Sequence, residues 1–84
     1  MSQLELRHLH RDVQTALELA IVSLSPSGLL DRLAAAAGLL GAIAELPEGS
    51  APARALIPQT EKAARSALTS WHAWEQEHLP KATA

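Results

Sequence analysis

The run at residues 29–46, LLDRLAAAAGLLGAIAEL, constrains this chain more than any other stretch. Its only charges are Asp31, Arg32 and Glu45, and positions 33–44 carry none. A helix that is apolar or small nearly all round must be covered by other helices, by a second copy of the chain, or by lipid. A spanning helix needs about 20 apolar residues, and the uncharged part of this run falls well short and is mostly Ala and Gly. We therefore expect cover by protein and no membrane partner.

At 100° per residue the run separates into two sides. Leu29, Leu30, Leu33, Leu40 and Ile43 gather with Ala36, Ala37 and Ala44. Opposite them lie Ala34, Gly38, Gly41 and Ala42, with Asp31 and Glu45 at the ends and Leu39 and Leu46 between. Gly38 and Gly41 each cost a helix about 1 kcal/mol relative to Ala. The usual compensation is close approach by another helix backbone. The small-residue steps Ala34 to Gly38 and Ala37 to Gly41 fit that reading.

The segment before this run is amphipathic. Leu6, Leu9, Val13, Ala16, Leu17, Ala20, Ile21 and Leu24 share one face, and Leu4 and Val22 are stranded among the polar residues. Ser2 and Glu5 have capping-box spacing, and His8 and Asp12 are four apart, as a weak helical pair requires. Ser25-Pro26-Ser27-Gly28 ends this helix. Ser25 precedes a proline and avoids the α region, so it is expected to cap the next helix with Pro26 at its first position.

After the run, Pro47-Glu48-Gly49-Ser50 reads as a turn whose serine caps a third helix. There Ala53, Leu56, Ile57, Thr60, Ala63, Ala64, Ala67, Leu68, Trp71 and Trp74 form the apolar face. The phase persists through Pro58, which predicts one helix kinked at that proline, and Glu61 and Arg65 are spaced to pair. Leu79-Pro80 stops it, and residues 81–84 are expected to fray. The predicted fold is all-α: an antiparallel three-helix bundle with helices at about 3–24, 27–46 and 52–78. It forms a single domain over residues 1–84. The core must be built from Leu and Ala, because Trp71 and Trp74 are the only aromatics. Ala buries little area, so a chain of this size is expected to gain burial by dimerising into a larger helical bundle.

Catalytic patterns are lacking. There is no Cys, no serine lies in a Gly-x-Ser-x-Gly elbow, and the four glycines do not make a phosphate loop. The expectation is no enzyme and no cofactor. The seven Lys and Arg are scattered and the net charge is −2, which argues against nucleic acid. Arg11 and Asp12 interrupt the region where a signal peptide would sit, so a cytoplasmic protein is expected.

The leading functional reading is a non-enzymatic helical interaction module: a small adaptor, chaperone or regulatory subunit. Its contacts are expected at Ala34, Gly38, Leu39, Gly41, Ala42 and Leu46, with Trp71 and Trp74 second because Trp dominates interface hot spots. Both Trp also lie on the apolar face, where they would fill the end of an Ala/Leu core. One alternative is a metal or small-ligand site between subunits. Glu75 and His78 have the Glu-x-x-His spacing of di-iron bundles, with His10 as a further donor, but the remaining glutamate ligands are missing. His78 otherwise suits a helix C-terminus beside Trp74. The other alternative is an inhibitor or immunity-type protein, for which a charge of −2 is weak support.

Overall fold

The computed structural model describes residues 3–79, and these form three helices: α1 (Gln3–Val22), α2 (Ser27–Ala44) and α3 (Ala51–His78). No strand occurs among them. The proposed Ser2 cap, the Pro80 stop and the 81–84 tail lie outside the described residues. Leu6 and His10 of α1 meet Leu40 and Ala44 of α2. Arg32 and Leu39 of α2 meet Ser70 and Ala63 of α3. Each successive pair therefore runs antiparallel, as its short link requires.

The inner stripes step alternately by three and four residues, with half-buried Ile57 filling the one longer step, between Ala53 and Thr60. They are Leu6, Leu9, Val13, Ala16 and Ala20 on α1, then Leu29, Leu33, Ala36, Leu40 and Ile43 on α2. On α3 they are Ala53, Thr60, Ala64, Ala67 and Trp71. A mean step of 3.5 keeps a seam facing its neighbours along the whole helix. Small α3 residues oppose the leucines, and Trp71 closes the end where α3 meets the start of α2. Leu17, Leu30, Leu56, Ile57, Leu68 and Trp74 pack half-buried around this core. Ala44 and Ala63, expected on inner faces, are exposed.

α1 stops two residues earlier than its apolar pattern implies. The Ser25 amide donates to the Ala20 carbonyl (3.1 Å) and the Leu24 amide to that of Ile21 (3.2 Å). This is a Schellman closure with Leu24 in the left-handed region, φ 55°. Leaving the helix there turns Leu24 outward, 88% exposed, and Ile21 is exposed with it, so neither belongs to the core face. Ser25 does not cap α2. Its Oγ donates back to the Ala20 carbonyl (3.0 Å), buried, and Pro26 holds the N-cap position with no side-chain cap. A left-handed backbone costs a non-glycine residue about 1–2 kcal/mol, and the added unfolded-state freedom of Gly offsets part of that. Leu24→Gly is therefore expected to stabilise the fold by about 0.5–1 kcal/mol net. A thermal midpoint that stays level or falls would show Leu24 making contacts that outweigh its strain.

The second link behaves as its residues imply. Gly49 takes φ 73° at the third position of a turn closed by the Ser50 amide on the Pro47 carbonyl (3.1 Å). Ser50 Oγ then accepts the Ala53 amide (3.3 Å) as the N-cap of α3. α3 continues through Pro58 as one helix, with the proline on the exposed side. Glu61 and Arg65 pair at 3.5 Å, whereas no ion pair joins His8 to Asp12.

Candidate interaction surface

Packing α2 against both neighbours uses up its Leu/Ile side and leaves an outward arc of small residues. Asp31, Ala34, Ala35, Gly38, Ala42 and Glu45 are exposed, and Leu39 stands at the edge of the arc, 40% exposed. The arc is also the rim of a groove against α3. One part of the groove, about 260 Å³, lies between Ala35 and Leu39 of α2 and Ala63 and Ser66 of α3. The next, about 310 Å³, opens toward Gly28, Ser70 and Trp74. Arg32 lines both parts, and its Nη1 donates across the groove to Ser70 Oγ (3.3 Å).

The two central glycines differ in their surroundings. A Cβ built on Gly38 meets no atom within 4 Å, while one on Gly41 would lie 3.8 Å from Cε1 of His10. Gly41 is thus half-buried against α1, on the side of α2 away from the groove. Leu46, half-buried, follows the end of α2 in the link to α3. Of the expected contact residues, Ala34, Gly38, Leu39 and Ala42 come together on one exposed face.

The tryptophans also separate. Trp71 is 2% exposed and belongs to the core, whereas half-buried Trp74 lines the groove. Their rings stack at 5.7 Å, and His78 continues the stack on Trp74 at 4.7 Å with the planes 10° apart. His78 Nδ1 lies 3.0 Å from the Trp74 carbonyl, which suits a donor near a helix C-terminus. Glu75 pairs with His72 at 3.5 Å. No group of three or more His, Asp or Glu among the described residues is arranged to hold a metal ion. His10 lies against the C-terminal half of α2, and Glu75 and His78 lie near its start, so one chain does not unite them.

The groove-lining Arg32, Ala63, Ser66 and Ser70 were not candidates from sequence. Arg32 and Ser70 are 38 residues apart and meet only once α2 and α3 pack. Ser27–Ala44 is the one described helix long and apolar enough to cross a membrane by length and composition, with mean hydropathy 1.4. No family model matches the chain, and no curated protein or solved structure matches it.

Proposed function

We propose that this chain is a non-enzymatic helical interaction module, of the adaptor, chaperone or regulatory-subunit kind, that self-associates through the outward arc of α2. The observation carrying this reading is Gly38. A helix-interior glycine costs about 1 kcal/mol, and among the described residues no atom from outside its own helical turn lies within 4 Å of a Cβ built there. A helix from a second copy, laid along the small-residue arc, would use that space. Leu39 then supplies the larger side chain at the contact, and Arg32 and Trp74 flank it.

In this reading the partners are proteins in the cytoplasm, not nucleic acid or lipid. Leu29, Leu33, Leu40 and Ile43 of α2 are committed to the bundle interior, and its outer arc offers lipid a single large apolar side chain, Leu39, among Ala, Gly and terminal charges. The metal-binding alternative is not preferred, because Glu75 and His78 are engaged with His72 and the Trp74 carbonyl. The inhibitor alternative rests on a net charge of −2, which is weak support for masking a basic partner.

Light scattering on the eluting protein tests the proposal. The wild-type chain is expected at about twice its 8.9 kDa. Gly38→Leu is expected at the monomer mass with its helical circular dichroism retained. Gly38→Ala separates the two roles of the glycine. If a helix packs on it, the methyl weakens association, and if nothing does, the variant simply gains helix stability. A wild-type monomer at every concentration, or an unchanged mass for Gly38→Leu, overturns the reading.

A further inference from the structure

A third depression lies on the other side of α2, against α1. It encloses about 140 Å³ among Leu6, Arg7, His10, Leu40, Ile43 and Ala44, and it is more enclosed than either part of the α2–α3 groove. An apolar protein cavity of about 150 Å³ accommodates a benzene molecule, so the space admits one small ring or a short branched chain. Its floor is core surface, since Leu6, Leu40 and Ile43 are all buried. α2 presents only the small side chain of Ala44 at the rim, where a larger residue would fill the space.

The mouth is chemically different from the floor. Arg7 and His10 are three apart on α1, hence on one side of the helix, and they are the only ionisable side chains lining the cavity. Neither makes a hydrogen bond or ion pair with any described residue. α2 contributes no carboxylate to the lining, so the donors of Arg7, an exposed lining residue, are uncommitted. Arginine stays charged at any physiological pH, and its planar fork matches a carboxylate through two parallel hydrogen bonds. A neutral imidazole still has one N–H to donate.

We infer that this cavity binds a small monocarboxylate with a compact apolar body, of the benzoate or short branched-chain type. The body sits on Leu6, Leu40 and Ile43, and the carboxylate is held at the mouth by Arg7 with His10 beside it. A bare inorganic anion would leave the apolar floor unused. A neutral hydrocarbon would crowd the guanidinium without supplying an acceptor, which costs free energy. The site is independent of the α2 outer arc, so it stands or falls separately from self-association.

The test uses the full chain, labelled with ¹⁵N, and sodium benzoate, with benzyl alcohol as the uncharged ligand of similar shape. Benzoate is expected to give saturable amide shifts in the millimolar range, concentrated at Leu6, Arg7, His10, Ile43 and Ala44. Benzyl alcohol is expected to bind about tenfold or more weakly, since a charge-assisted hydrogen bond is lost. Arg7→Gln, at an exposed position, is expected to abolish that preference. Ala44→Leu, which fills the cavity from its rim, is expected to lose both ligands. Equal binding of the two ligands, unchanged benzoate affinity in Arg7→Gln, or shifts that are unsaturable or scattered along the chain would each overturn the assignment.

Discussion

Truncating Trp71 to alanine is expected to remove about 3–5 kcal/mol of stability, the range for a fully buried aromatic. Trp71 is the largest fully buried side chain of the described fold. It closes a core otherwise made of Leu, Ala, one Val, one Ile and one Thr, and the Ala-rich face of α3 cannot collapse far into the space it would leave. Domains are stable by about 0.05–0.15 kcal/mol per residue, or about 4–13 kcal/mol for a chain of this length, so the variant would lose a large share of the whole. Urea denaturation is expected to give a much lower midpoint or no cooperative transition. Trp74→Ala is the informative partner, because Trp74 is half-buried and its truncation removes stacking with Trp71 and His78 but opens no enclosed cavity. It is expected to cost less than half as much. Equal costs for the two would show that Trp74 is as much a core residue as Trp71.

The contrast between these tryptophans also marks what could be read in advance. Both share the apolar arc of α3, and periodicity alone does not say which one the packed bundle buries completely. The inner stripes were legible because a mean step of 3.5 residues is a strong signal that leaves few ways to orient a helix. The second cap was legible because Gly49 and Ser50 each carry their own mechanism. The end of α1 was not. A Schellman closure is normally announced by glycine in the left-handed position, and here that residue is Leu24, which reads as one more core leucine. Ser25 was misassigned for a related reason: serine before proline fits an N-cap, and its turn back to Ala20 depends on that closure.

The candidate surface shows the same division. Gly38 and Gly41 look alike on a helical wheel, and only the position of α1 decides that His10 takes the space beside Gly41. The α2–α3 groove belongs to two helices at once, so no single-helix pattern contains it. What the sequence did carry was the surplus of small residues on one side of α2. That surplus survives in the fold as an exposed arc after α1 and α3 have taken their share.

Replacing Thr60 by valine is expected to stabilise the fold by about 1 kcal/mol or more. Thr60 is fully buried on the inner stripe of α3, and its Oγ1 has no hydrogen-bond partner. A helical threonine usually returns its hydroxyl to the carbonyl four residues back, but here no bond to the Leu56 carbonyl forms. A buried polar group without a partner costs about 1–3 kcal/mol in desolvation. Valine keeps the branched shape and replaces the hydroxyl with a methyl, which removes that cost and leaves no cavity. At about 4–8 °C per kcal/mol for a domain of 60–100 residues, the thermal midpoint should rise by several degrees. Thr60→Ser, which keeps the hydroxyl and deletes the methyl, should move the other way. Loss of stability in both variants would mean that the hydroxyl is satisfied in solution, and Thr60 would then be a hydrogen-bonding residue of the core.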